Sequence, residues 1–565
     1  MSTGVHTKST VLISGAGPSG LVLALTLAKN GVPVRIIEKD REFHQGQRGA
    51  GAQPRTIEIY NYLGIAENII KVGQPMKPFA VYKLPEGTEI IKTFSMMENR
   101  PSTPSIPFAN VVMIGQHAAQ GILRDHLARY NVVVERSTEL VDFEQDEQGV
   151  VAHLVKHDGD KDVQESVQVS YLVGADGARS VVRKKLGLTF LGVTRPTEHL
   201  IVADIEITGL SPDYWHTWGD FATRTVVLMP TERPNVFSVF GGGVDADIQV
   251  ALKDRDGLVD YILGVSNRHD LKFGEVLYFS EWRPNVRMVN KFGEGKVFVV
   301  GDAAHVHSPT GGQGLNSGIQ DSFNLGWKLS LVCNSLSSPS ILGAYNSERL
   351  PIIQDMLERT TKLLDKTLTY RANGDNTEGF ARPPILRQLG VHCRSSPLVV
   401  DEQPEFAEAK KAQPYIDADP AVLFAGDRAP DAPALRVVAR ASGAIQEMEE
   451  TSLFKTYTPT RHTVVVFAKT ASEDQLQGII KAIHTAPKGA IQVVVVLPEE
   501  TVLTALQTVE GADLVVVDTL GHALDAYPPA VRGFSVFVVR PDGVVGAVVG
   551  GEEGVKKYIK GVFVD

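Results

Sequence analysis

Apolar and polar positions alternate early in a pattern that predicts elements. Residues 10–14 form a short apolar run that suits a buried strand, and residues 15–20 are a glycine-rich turn. Residues 21–30 then read as an apolar helix that Gly31 ends, in the place a C-terminal glycine prefers. Residues 34–38 are the next strand, which completes one βαβ unit. From 73 to 115 the chain turns to strand-like pieces broken by prolines. Helical spacing returns over 116–130, with Ile122, Leu123 and Leu127 on one face. Residues 132–151 and 163–173 read as strands, and 189–289 is dominated by extended segments such as 200–205 and 225–229. A buried strand at 296–300 and helices at 313–331 and 347–369 follow.

Beyond that point the pattern changes twice. Residues 372–431 are richer in Pro, Gly and charge and predict a linker with limited structure. After it, strand-like runs at 463–467, 491–497, 513–517 and 535–539 alternate with helical stretches such as 472–483, the mark of a small α/β unit. The predicted fold class is α/β. A Rossmann-like cofactor-binding domain (1–75, 116–188 and 290–371) carries an inserted β-sheet substrate domain (76–115 and 189–289). The linker and a C-terminal α/β domain (432–565) complete the chain.

Composition changes this picture little. The 565 residues are 43% hydrophobic and 22% charged, enough for large cores. A net charge of -10 without long basic runs argues against nucleic acid or an anionic membrane as partner. No apolar stretch reaches the ~20 residues of a membrane span. The short polar N-terminus leaves no room for a signal peptide, so cytoplasmic residence is expected. The two cysteines, Cys333 and Cys393, form no CxxC pair and no metal cluster; free core thiols in a reducing compartment are expected.

Candidate chemistry begins at Gly15-Ala16-Gly17-Pro18-Ser19-Gly20, which fits GxGxxG. One glycine permits the tight turn, one lets the backbone approach a pyrophosphate, and one lets helix and strand pack closely. The helix N-terminus offers free N–H groups and partial positive charge to the anion. Glu38, followed by Lys39, stands 18 residues past Gly20 at the end of the second strand, where a ribose-binding carboxylate is expected. A carboxylate there repels a 2′-phosphate, so the site suits NAD or the ADP half of FAD.

Two later stretches choose between them. Residues 171–180 run from an apolar strand into Gly174-Ala175-Asp176-Gly177. Residues 297–316 run from a buried strand through Gly301-Asp302 and His305-Val306-His307-Ser308-Pro309 to Gly311-Gly312-Gln313-Gly314-Leu315-Asn316 and a helix start. With the phrase Asn324-Leu325-Gly326-Trp327-Lys328-Leu329, these motifs resemble the flavoprotein aromatic hydroxylases, the family of p-hydroxybenzoate hydroxylase and phenol 2-monooxygenase. The resemblance covers residues 10–370.

The resemblance implies bound FAD and a role for each matching position. Asp302 would accept hydrogen bonds from the ribityl chain. Asp176 would lie near the pyrophosphate and the nicotinamide approach path, and Pro309 against the isoalloxazine ring. Gly312, Gln313, Gly314, Leu315 and Asn316 would aim backbone N–H groups at the ring, where reduced flavin carries negative charge. Arg48, in a loop resembling the family's arginine-bearing loop, would contact FAD, and Gln116 would lie near the phosphates and ribityl chain. The implied reaction is reduction by NADPH or NADH, then O2, then transfer of one oxygen from a flavin C4a-hydroperoxide to a small phenolic or aromatic substrate. His307 is the candidate for moving the phenol proton; His305 reads as structural. The active-site Asp of the phenol 2-monooxygenase branch is Ala50 here. Trp215, His216, Trp218, Met229, Phe237 and Phe240 are available to a substrate, and alternation lets only some of them face it.

Other readings stay open at this point: oxygenation of a larger polyketide-like substrate, including Baeyer–Villiger insertion, and a flavin-binding protein without turnover. Residues 432–565 resemble the thioredoxin-like domain of the phenol hydroxylase branch. They contain no cysteine, so a structural or dimerising role, and a homodimer, are expected.

Overall fold

A computed structural model describes residues 10–159, 161–194, 199–283, 285–307, 311–368, 380–416, 422–441, 449–468, 473–499, 509–528 and 535–564. The first βαβ unit is built as its pattern demands. Strand Val11–Ser14 is fully buried, helix Pro18–Lys29 starts at a proline suited to a first turn, and strand Val34–Ile37 follows. The helix starts three residues before the expected boundary, inside the glycine motif, because Gly17 already serves as its N-cap. These strands belong to a five-stranded sheet ordered 293–294, 297–299, 171–174, 11–14 and 34–37, parallel except for its first edge strand. The parallel strands bring the carboxyl ends of 11–14, 171–174 and 297–299 side by side. The three chemistry-bearing turns start there, which is where open α/β sheets bind ligands.

A second, seven-stranded sheet is assembled from distant pieces: 272–282, 200–208, 236–242, 225–230, 215–219, 79–82 and 90–94, in that order. Its faces differ. One, carrying Ile201, Ala203, Ile205, Trp218, Val226, Leu228, Phe237 and Val239, is sealed by helices Ile248–Ala251 and Arg255–Ser266. The expectation that extended segments dominate 189–289 named neither of these helices. Asp254 caps it by accepting the Gly257 N–H, and Asn267 ends it in a left-handed conformation. The other face carries Phe79, Leu200, Trp215, Phe221 and Val227, with half-buried Phe94, Met113, Met229, Phe240 and Trp282 around them.

An eight-stranded mixed sheet contains the expected strands 462–467, 491–498, 514–518 and 535–539. One edge strand, Val400–Asp401, comes from the stretch expected to be a linker. That stretch holds little regular structure but is packed, with Leu386, Leu389, Cys393, Tyr415, Phe424, Ala425 and Ala429 buried and Arg394 paired to a buried Asp427 at 2.6 Å. Its charges find protein partners, Arg394 within the stretch and Arg428 at Glu58 of the first domain, which composition alone could not reveal. The eight-stranded sheet is tied to the rest through a buried cluster. Glu348 accepts hydrogen bonds from Arg540, Lys328, Asn324 and Ser396, and Asp542 accepts from Trp327 Nε1 at 3.0 Å. Among the described residues, no helix is long and apolar enough to cross a membrane.

Candidate functional site

The glycine loop is fixed by contact. Gly15 has φ +105°, and a Cβ there would lie 2.3 Å from the Ala175 carbonyl oxygen; a Cβ on Gly20 would lie 2.0 Å from the Gly15 carbonyl oxygen. A Cβ on Gly17 would meet nothing within 4 Å, so the loop is tight below and open above. Helix Pro18–Lys29 has no side-chain cap, leaving its first N–H groups to face that opening. Glu38 braces the loop: its carboxylate accepts the Ala16 N–H at 2.9 Å and the Asp40 N–H at 3.2 Å. Lys39 is exposed, and among the described residues no hydrogen bond or ion pair ties it to the site.

Asp176 lies in the turn that abuts Gly15. Its Oδ2 accepts the Val181 N–H at 2.7 Å, at the start of the short helix Val181–Lys185 that Ser180 caps; burial raises its pKa. Ser19 fits between Gly301 and Gly318, where a Cβ on either would fall within 2.5 Å of its hydroxyl. The first strand's turn and the third strand's turn therefore meet. Asp302 keeps an accessible carboxylate, yet protein surrounds it closely enough for burial to raise its pKa, against the opposing charges of His305 and Arg48. Depth with access is the signature of a cleft floor. Among the described residues no donor meets that carboxylate. His305, by contrast, is consumed: its Nε2 meets Asp321 at 2.6 Å, and Asp321 also accepts from Arg349 at 2.7 Å.

The helix Gly314–Cys333 likewise starts without a side-chain cap. Two of its predicted cofactor residues have internal tasks. The Gln313 amide donates to the carbonyls of Gly311 and Leu386. Asn316 accepts the Gln53 N–H at 2.8 Å and donates to Gly51 and Gly312, which pins residues 51–53 against the helix. The backbone of Gly312–Asn316 is thereby held while its N–H groups stay available. Gly312 has φ +61°. Leu315 and the Gln116 amide oxygen flank Gly49, at 3.5 and 3.7 Å from where a Cβ would stand. His307 packs on the helix start, its Nε2 2.7 Å from the same point on Gly314. Pro309 lies outside the described residues.

Alternation settles which sheet residues face this side. Trp215, Met229 and Phe240 lie on the face that meets the 47–53 loop, where the Met113 sulfur stands 3.5 Å from where a Cβ on Gly51 would be and Val112 pairs with Ala52. His216, Trp218 and Phe237 lie on the helix-covered face, where Tyr82 hydrogen-bonds the His216 ring at 2.8 Å and burial lowers its pKa.

Sequence reasoning missed the residues that hold the Arg48 loop. Gln47 donates its N–H to Asp204 at 2.7 Å and its amide to Glu232 at 3.0 Å, and accepts the Gln116 N–H at 3.1 Å. Arg48 itself has φ +43° and donates from Nε to the Tyr278 hydroxyl at 3.3 Å. One signal was present: an Asp inside the apolar run Leu200-Ile201-Val202-Ala203-Asp204-Ile205.

The residues present fit an extended dinucleotide. The opening above Gly17, two helix N-termini without a side-chain cap, the exposed Asp302 and the arginine loop lie on turns that adjoin one another: Gly15 against Ala175, Ser19 between Gly301 and Gly318, and Gly49 beside Leu315 and Gln116. A sequence profile described as the FAD binding domain matches residues 8–360. The chain is 35% identical over 433 residues to a flavin-dependent monooxygenase of Mycobacteroides abscessus, covering 75% of this chain and 84% of that one. It is 28% identical to pentachlorophenol 4-monooxygenase of Sphingobium chlorophenolicum, over 98% of this chain and 96% of that one. Among solved structures, the flavin-dependent monooxygenase PieE with FAD and substrate superposes with TM-score 0.80 at 22% identity, covering 99% of both chains. An aklavinone-11 hydroxylase with FAD and aklavinone superposes with TM-score 0.74 at 22% identity, covering 99% of this chain and 100% of that one.

Proposed function

Because the chain belongs to the FAD binding domain family and is an FAD-dependent monooxygenase, we propose that it hydroxylates a phenolic or other aromatic compound with NAD(P)H and O2. The observation that carries this reading is the position of the apolar sheet face. Trp215, Met229, Phe240 and Trp282 stand on the side of the sheet that meets the loop through Met113 and Gly51. Aromatic and thioether side chains of that kind receive a flat apolar ring through its face and edge.

Bound FAD supplies the oxygen activation; the chain supplies binding, orientation and proton management. Gly15, Gly17, Pro18, Ser19 and Gly20, with the start of the first helix, would hold the pyrophosphate, and Glu38 the adenosine ribose. Asp176 would support that end through the turn whose N–H groups it takes. Asp302 would accept from the ribityl hydroxyls, with Gln116 contributing to the same end. Backbone N–H groups of Gly312–Asn316 would stabilise negative charge on the ring without reorganising, and Arg48 would contact the flavin. The apolar face excludes water from the reacting centre. His307, packed on Gly314, would take the phenol proton and so raise the substrate ring's electron density.

Phe380 closes one end of that face, its ring centroid 5.2 Å from Phe79 and 6.1 Å from Phe94. The half-buried Met229, Phe240 and Trp282 are the side chains left to a substrate, and a larger, polyketide-like aromatic is the second reading. The C-terminal sheet is a thioredoxin-like scaffold without redox work, since residues 432–565 hold no cysteine. A panel of phenols and polycyclic aromatics, each incubated with the yellow protein and NADPH or NADH, tests the reading. Faster NAD(P)H loss and a product heavier by one oxygen are expected for at least one ring system. Uncoupled oxidation with every ring would count against it.

A further inference from the structure

We infer that Asp204 and Tyr278, neighbours across two strands of the seven-stranded sheet, are positioning residues that latch the Arg48 loop to that sheet and set where Arg48 stands toward the flavin. The inference rests on the reading that Arg48 contacts FAD. Asp204 and Tyr278 are directly paired in register. Asp204 takes the backbone N–H of Gln47, and Tyr278 takes the Nε–H of the next residue, Arg48. The guanidinium also lies over the Tyr278 ring at 5.8 Å, and His44 meets the same ring edge-on at 5.0 Å. A Cβ on Gly46 would stand 2.6 Å from that ring, so the loop lies directly on it. The latch holds Arg48 at φ +43°, in the left-handed region, a conformation that persists only where surroundings over-determine it. The same face of strand Leu200–Thr208 carries Leu200, part of the apolar wall. One strand therefore presents the wall to the substrate and the carboxylate to the flavin loop.

Asp204 is an expensive choice for a purely structural contact. It is buried, and burial pushes its pKa up to about 6 against the helping hydrogen bonds of Gln47 and Ser238. The charged and titratable groups around it are Glu232 and Arg233 on the adjoining hairpin, His117 on the 116–128 helix, His44 and Arg48 in the loop, Tyr278 on the next strand and Glu206 along its own. Burial holds His44 down at about 4 and lowers His117 too, against the charge of Glu232 beside it. An ionised acceptor holds an N–H about twice as strongly as a neutral one, so protonating Asp204 loosens the latch.

The test uses the FAD-loaded protein and reads the rate of FAD release on dilution by flavin fluorescence, across pH 5 to 8, for wild type, R48A, D204N, Y278F and R48A/D204N. R48A is expected to speed release about tenfold, and D204N and Y278F about fivefold. The double variant should match R48A alone, because Asp204 acts through Arg48. Wild-type release should quicken as pH falls through about 6 while D204N stays flat. D204N should unfold at no lower temperature than wild type near neutral pH, since a buried charge is gone; a merely structural Asp would show the reverse. An additive double variant, or a D204N that keeps the wild-type rate and pH profile while R48A is fast, overturns the latch and leaves Arg48 in place. An R48A that keeps the wild-type rate overturns the latch together with the reading beneath it.

Discussion

The buried cluster beneath the eight-stranded sheet makes a quantitative demand. Lys328 and Arg540 face Glu348 and Asp542, all essentially inaccessible, so two cations balance two anions. Burial alone would raise the Glu348 pKa, but the charges of Arg540 and Lys328 hold its carboxyl well below the usual range. Arg540→Met keeps bulk and removes one cation, leaving Glu348 and Asp542 to share Lys328. Removing one partner of a buried pair costs about 3–5 kcal/mol, so a loss near 4 kcal/mol is expected, close to a thousandfold in the unfolding equilibrium. Asp542→Asn added to Arg540→Met restores neutrality and keeps an acceptor for the Trp327 indole, so the double variant should recover at least about 1 kcal/mol. A group with a depressed folded pKa stabilises above its unfolded pKa and loses that contribution as pH falls, so both differences should persist from pH 5 to 8. Urea titration followed by near-ultraviolet circular dichroism reads them. An Arg540→Met variant within about 1 kcal/mol of wild type would show that the cluster is hydrated and weakly loaded, and that the sheet is not anchored through it.

Three further outcomes follow from the cofactor cleft and the sheet. Asp302→Ala should fold normally and lose FAD on gel filtration; full retention would remove Asp302 from the cofactor. Gly17→Val meets no protein atom at its Cβ and should fold but exclude FAD, whereas Gly15→Ala, with φ +105° and a carbonyl 2.3 Å away, should fail to fold; circular dichroism with flavin absorbance separates the two. Phe240→Ala should raise KM for the aromatic substrate with little loss of stability, while Phe237→Ala, buried on the opposite face, should cost about 3–5 kcal/mol of stability and leave KM unchanged. The reverse pattern would mean the substrate sits on the other face.

The sequence reveals some parts of this site more readily than others, for physical reasons. The glycine motif, Glu38, Asp176 and Asp302 are legible because each follows an apolar strand at a fixed spacing, and local geometry dictates local residues. The latch is not, because Gln47 meets Asp204 across 157 positions and no local pattern records the encounter. Gln313 and Asn316 show the converse. Their place at the helix start is legible, but the amides serve the backbone of 311–312 and 51–53. The 372–431 stretch reads as a linker because its prolines and charges suit one; only the fold shows Arg394 closing on Asp427 and residues 400–401 joining a sheet. The helix 255–266 was hidden among strands, since its short apolar spacing resembles theirs once neighbouring strands dominate the window.

Transfer of one atom of O2 to an aromatic ring is tested most directly by turnover of a ring from the panel under isotopically labelled oxygen, with NAD(P)H and product counted together. One labelled oxygen atom in the product is expected for each NAD(P)H consumed. Flavin turnover that yields hydrogen peroxide alone, with no labelled product from any ring, would contradict it.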